Sequence, residues 1–365
     1  MFKKIIFNII LPIITLLTIL PSCFNINNKQ ENNQDIIMIV FVHGTIGPYP
    51  SIRTISKLLK NVFQKENIKN TAQAKNLINQ YTEELKKHSF HKNQPINKFG
   101  LRNINLEINE NENQLNYYSI KTAIEYKKAL KNAYPNNYEN LKFYTFNWSG
   151  KLSHKERIIA AKDFYLSLIA EKEKLEKEAQ TKINIHIITH SHGGNVGLNL
   201  SKAEEEYKKE LEIEKLIMFG CPVQPETETN TQSQTFKNIY HIYSSSDKMQ
   251  IADFISTKGF FSKRVFKKNK HLKSLPNNLH QIEIRIDGYK PSHYELWLWA
   301  RKNTPSFIYR KKFSLYPKPV SILTPSIIKL IDSQEKISCE KSYELNFDSK
   351  SQQSYIKNKA LPDTN

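Results

Sequence analysis

The sequence predicts an α/β protein built on a mostly parallel sheet of about six strands flanked by helices. Three observations carry this. Ile36–Val42 is a continuous apolar run of strand length, as expected of a strand buried on both faces. Five more strand candidates follow at Leu141–Phe146, Ile183–Thr189, Lys215–Gly220, Ile239–Tyr243 and Gln281–Ile286, and helical patterns fill the first two gaps between these five. The run from Ile183 stops at Thr189-His190-Ser191-His192-Gly193-Gly194, where a helical pattern begins, so a sharp strand-to-helix turn carries a serine.

In chain order, the first element is a targeting segment. Lys3 and Lys4 precede the apolar stretch Ile5–Leu20, which contains Pro12 and is short for a membrane-spanning helix. Leu20-Pro21-Ser22-Cys23 resembles a bacterial lipobox, although Pro21 is unusual there. That resemblance implies a signal peptide over 1–22, lipidation at Cys23 and an exported protein anchored at a bacterial outer membrane or cell surface. Ordinary cleavage and retention as an anchor are the alternatives. Residues 23–35 are Asn- and Gln-rich and read as a flexible tether.

After Ile36–Val42 comes His43-Gly44-Thr45, and then a helical repeat of Ile52, Ile55, Leu58, Leu59, Val62 and Phe63. Residues 66–140 lack strong strand signals. Leu77, Ile78, Tyr81 and Leu85 predict one helix, and Tyr117, Ile120, Ile124 and Leu130 predict another, ended by Pro135. This stretch is long for a connection between adjacent strands and reads as a helical cap insertion over the sheet. Ile158, Ala161, Tyr165, Leu168 and Leu175 mark a helix over roughly 153–180, and Val196, Leu200, Ala203 and Tyr207 mark another after the serine turn. Beyond about residue 302 prolines punctuate the chain, and 303–365 reads as a C-terminal extension whose last twenty residues are expected to be disordered.

The formal net charge is +19, from 54 Lys+Arg against 35 Asp+Glu. The lysines are scattered rather than patterned, as solvated surface usually is. A basic surface also favours an anionic membrane. No stretch interleaves Arg with aromatics, so no nucleic acid partner is expected. No Cys/His cluster has zinc-ligand spacing, and neither metal nor cofactor is expected. Cys221 follows an apolar run and reads as a buried strand-end thiol, with a bridge to Cys339 left open.

The serine turn fixes the candidate chemistry. A hydroxyl needs a base within hydrogen-bond reach, that base needs an orienting carboxylate, and the developing oxyanion needs backbone N–H donors. Ser191 is the candidate nucleophile, although a serine in such a turn also serves as a helix cap. His293 is the candidate base, on a Gly288/Pro291 turn after the last strand run. His190 and His192 are too close in sequence to Ser191 to act as its base, and they are read as shaping the turn. His186, His241, His271 and His280 are weaker candidates. Asp247, ending the run after Tyr243, is the candidate acid, with Asp253 its nearest rival and Asp287 a third. The oxyanion donors are the amide of His192 and one from the loop after the first strand, at Thr45 or Ile46.

Together, Val42-His43-Gly44-Thr45, His190-Ser191-His192-Gly193-Gly194, Gly220-Cys221-Pro222, Asp247 and Ser292-His293 resemble the α/β-hydrolase superfamily, within it the lipase-like serine esterases. The resemblance covers roughly 36–300 and implies a hydrolase domain over 36–302 with its cap at about 66–140. Thr189 departs from the first glycine of the usual G-x-S-x-G, and the cap lies earlier than most lipase lids. The resemblance implies a hydrolase of carboxylic esters, lipid esters foremost, working through an acyl-enzyme. An acyltransferase or thioesterase with the same residues, or an inactive surface lipoprotein used for binding, are the alternatives.

Overall fold

A computed structural model describes residues 35–45, 99–106, 117–135, 140–251, 253, 256–257, 262–299, 318–333, 342–348, 350–351 and 353–359. Cys23, Ile46, Cys339 and the helices expected over 52–63 and 77–85 lie outside the described residues.

All six expected strands are present: β1 (Ile36–Val42), β3 (Leu141–Asn147), β4 (Ile183–His190), β5 (Ile213–Phe219), β6 (Phe236–Tyr243) and β7 (Leu279–Ile286). Three more join them: β2 (Gly100–Asn103), β8 (Ser342–Asp348) and β9 (Gln353–Lys359). The nine strands form one sheet in the order β2-β3-β1-β4-β5-β6-β7-β8-β9. The inner seven are mutually parallel, and only the edge strands β2 and β9 pair antiparallel.

β1 shows why the sheet needs two helical layers. Every residue of it is buried. Met38, Val40 and Val42 point into one core, and Ile37, Ile39 and Phe41 into the other, as the period-2 alternation of a strand requires. The first core is roofed by α2 (His154–Ala179), α3 (His192–Leu198) and α4 (Leu200–Tyr207) through Phe164, Leu168, Val196 and Leu200. Ser153 caps α2 by accepting from Glu156 N at 3.4 Å. The second core is roofed by α1 (Tyr117–Ala133) and α5 (Thr324–Asp332) through Ala123, Tyr126, Leu130, Ile327, Ile328 and Ile331.

The expected mostly parallel sheet is present and extends to nine strands among the described residues. Two domain expectations are corrected where residues are described. Within the region expected to be a cap, the described residues supply β2 as an edge strand and α1 as a covering layer of the main domain, with Tyr126 edge-on to Phe41 at 5.7 Å. Beyond residue 302 the described residues supply α5, which covers the sheet, and β8 and β9, which lengthen it. The physical reason is burial. Tyr343, Leu345 and Phe347 alternate along β8 and are all buried, Leu345 and Phe347 in the second core.

Candidate active site

The carboxyl ends of β4, β6 and β7 carry the candidate residues. Ser191 sits between β4 and α3 at φ 52° and ψ −131°, a backbone region that L-residues rarely occupy. Its amide donates to Phe219 O at 2.8 Å, and its carbonyl accepts from Gly194 N at 2.9 Å. The turn is possible because glycine flanks it. A Cβ on Gly193 would come within 2.5 Å of His43 O, and one on Gly44 within 2.7 Å of Ser191 Cβ. The loop after β1 and the start of α3 therefore touch backbone to backbone. Thr189 stands where the usual pattern has glycine. It is fully buried, and its hydroxyl donates to Ile217 O at 3.3 Å.

His293 and Asp247 meet. His293 Nδ1 donates to Asp247 Oδ2 at 2.7 Å, and both residues are buried. The carboxylate dictates that Nδ1 carries the proton, which leaves Nε2 with its lone pair. The other carboxylate oxygen accepts from Gln250 N at 3.0 Å. Gly220 makes the approach possible. It has φ +57°, and a Cβ there would lie 3.0 Å from Asp247 Oδ2 and 3.2 Å from His293 Nδ1. Sequence reasoning noted Gly220 only as part of a motif, since its reason is a contact made across three loops.

His190 links the serine turn to His293. Its Nε2 donates to His293 O at 3.0 Å, the two rings lie 4.4 Å apart, and Trp297 stacks on His190 at 5.5 Å. Burial first, and then the neighbouring histidines, hold His190 well below the usual imidazole range, so it is neutral. His293 is thereby fastened at its carbonyl next to Ser191. The described hydrogen bonds do not include one between Ser191 Oγ and His293 Nε2.

Of the candidate oxyanion donors, His192 opens α3, so its amide has no intrahelical acceptor. Thr45 follows the Gly44 approach to Ser191, and its buried hydroxyl has no hydrogen-bond partner among the described residues. The loop is braced by a pair that sequence reasoning missed: Trp148 Nε1 donates to His43 O at 2.8 Å, and Trp148 N to His43 Nε2 at 3.1 Å.

The rival carboxylates lie elsewhere. Asp253 pairs with His192 Nε2 at 3.2 Å rather than with His293. Asp287 is at a turn after β7, where its amide donates to Phe347 O at 2.8 Å. His186 is buried in β4, and desolvation, then Lys215, lower it to about 3. Desolvation lowers His241 to about 4, and it faces Cys221 O at 3.3 Å. His280 stacks on Tyr240 at 5.0 Å. His271 belongs to a loop before β7. Cys221 is a free buried thiol beneath Gly194. Among the described residues no group of His, Cys, Asp and Glu is placed to hold a metal ion.

A parallel sheet with a strained serine turn, and a His–Asp pair on later strand ends, defines the class: an α/β hydrolase of the esterase and lipase type. The chain belongs to the PGAP1-like alpha/beta domain family, whose model matches residues 33–268. That span includes Ser191 and Asp247 and ends before His293. Among solved structures, an arylesterase is similar over 75% of this chain and 97% of its own, at 12% identity and a TM-score of 0.28. No curated protein gives a significant match.

Proposed function

We propose that the protein is a serine hydrolase that cleaves carboxylic esters, lipid esters foremost, through Ser191, His293 and Asp247. The single observation that carries this is the 2.7 Å bond from His293 Nδ1 to Asp247 Oδ2 beside the serine turn. It sets the tautomer that a general base needs. Ser191 Oγ attacks the ester carbonyl while His293 Nε2 takes its proton. The amides of His192 and of Thr45 or Ile46 hold the oxyanion. The same imidazole returns the proton to the leaving alcohol, and a water then releases the acid from the acyl-serine.

Lipid esters are favoured by the lipobox-like segment. Lipidation at Cys23 would hold the domain at an exported membrane surface, where such esters lie. A fluorophosphonate should label Ser191, and Ser191→Ala should lose both labelling and ester turnover. Turnover that survives Ser191→Ala overturns the proposal. Intact-mass analysis of the mature protein should show a diacylglyceryl group on Cys23; an unmodified N-terminus overturns that part alone.

A further inference from the structure

Behind the serine turn lies a second histidine–aspartate pair that the hydrolytic steps above do not use. His192 Nε2 faces Asp253 Oδ2 at 3.2 Å, and both side chains are only 4% exposed. Asn195 Nδ2 lies 3.4 Å from His192 Nδ1, and the same nitrogen donates to Pro222 O at 3.0 Å. With Nε2 facing the carboxylate, Nδ1 faces the Asn195 amide. Desolvation, then the Arg157 charge, lower the His192 imidazole from its ordinary value, opposed by Asp253.

Asp253 is ionised. Burial alone pushes its carboxyl up, but His192 and the two bonds from Ser256 outweigh burial and hold it below the usual carboxylate range. Ser256 N donates to Oδ1 at 2.9 Å, Ser256 Oγ makes a short bond to Oδ2, and Gln224 Nε2 donates to Oδ2 at 2.6 Å. The compensating charge is Arg157, from α2, which is fully buried. Its guanidinium donates to Ser256 Oγ at 2.9 Å, to Ser256 O at 3.0 Å and to Gln224 Oε1 at 2.9 Å. These partners offset the desolvation that burying a guanidinium otherwise costs.

The network converges on one residue of the proposed catalytic machinery. His192 follows Ser191, and the direction of its N–H is set by the Ser191–His192 peptide plane. Anchoring the His192 side chain fixes that plane. The connection between β6 and β7 thus carries two carboxylates with separate duties: Asp247 faces the base, and Asp253 faces the residue of the oxyanion donor.

We infer that Asp253, held by Arg157, Gln224 and Ser256, is a positioning residue that aims the His192 amide at the oxyanion. This rests on the hydrolase reading above. It assigns Asp253 a role in transition-state stabilisation, not in proton transfer.

The test compares Asp253→Asn, His192→Leu and His192→Gln with the parent, using a soluble ester, a trifluoromethyl ketone inhibitor and a fluorophosphonate. A parent that takes no label refutes the hydrolase reading itself; the comparisons below apply to a labelled parent. Asp253→Asn and His192→Leu should lower kcat about tenfold or more, up to the ~10²- to 10³-fold cost of deleting an oxyanion donor. KM should stay within twofold, and the pH–rate profile should keep its shape. Affinity for the trifluoromethyl ketone, whose adduct carries the oxyanion, should fall in parallel with kcat/KM. His192→Gln keeps an N–H donor near Asp253 and should recover most of the loss seen in His192→Leu. If Asp253→Asn does not fold, the His192 pair decides. Equal kcat in parent, Leu and Gln variants overturns the inference, and so does a kcat loss without loss of inhibitor affinity.

Discussion

At Ser191 the chain keeps a Cβ where the backbone favours glycine, φ 52° and ψ −131°. Such a residue costs on the order of 1–3 kcal/mol and persists only where its surroundings over-determine it. Here the Phe219 O and Gly194 N bonds and the Gly193 contact do so. Ser191→Ala keeps the strain and Ser191→Gly releases it, so both should be inactive while the glycine variant melts at the higher temperature. A glycine variant that melts below the alanine variant in calorimetry refutes stored strain. Gly220→Ala pushes the other way. Its φ of +57° resists a side chain, and its Cβ would press Asp247 Oδ2 and His293 Nδ1. It should lower kcat at least tenfold, more than Gly288→Ala, where φ is +73° but nothing lies within 4 Å. Equal activity in the two variants sinks the argument. The serine turn is legible in sequence because its signals are adjacent. Gly220 owes its necessity to Asp247 and His293, and the partner of Asp253 is set by folding, so neither is readable from a local window.

The strands divide by how their side chains are solvated. Inner parallel strands are covered on both faces, so β1, β4 and β5 read as apolar runs and their positions are plain from sequence. Edge strands carry polar residues, and β2 (Gly-Leu-Arg-Asn) and β9 (Gln-Ser-Tyr-Ile-Lys-Asn-Lys) have no such run. β8 alternates, with Tyr343, Leu345 and Phe347 inward, a period-2 signal that is present in the sequence but masked by its polar intervening residues. The inner strands also bury histidines. In the folded chain, His186 is lowered to about 3 and His241 to about 4 by desolvation. Unfolded, each binds a proton near the ordinary imidazole value of ~6.5. Between those limits the unfolded state holds more protons, so stability is complete above ~6.5 and falls as pH drops toward the folded values. The melting temperature should therefore be flat from pH 8 to 7 and drop steadily below pH 6. His186→Leu should flatten that slope. An unchanged slope in His186→Leu would assign the acid lability to other groups.

For the molecule as a whole, the C-terminal strands hold the His293 loop as well as the core. β8 lies parallel to β7 and buries Leu345 completely against the same core as Ile282 and Ile284. It also fixes the start of the loop that carries His293: Asp287 N donates to Phe347 O at 2.8 Å, and Gly288 N to Asn346 Oδ1 at 2.8 Å. The segment leading into α5 fixes the far side, where Val320 N donates to Glu295 O at 3.0 Å and Ser321 N to Leu296 O at 3.1 Å. His293 lies between these two fastenings, although the family match ends before it. Truncation after Ser333 removes one fastening and opens β7 as an apolar edge, a template for intermolecular pairing. That chain should aggregate on expression, and any soluble fraction should lose fluorophosphonate labelling. Two point variants separate the roles. Leu345→Ala should lower stability by about 2–5 kcal/mol in urea titration, with labelling of the folded protein largely kept. Asn346→Ala removes the bond to Gly288 N and should lower kcat by more than its small stability cost explains. A truncated chain that stays monomeric and labels like the parent would show that β8 and β9 are ornaments on a sheet already complete at β7.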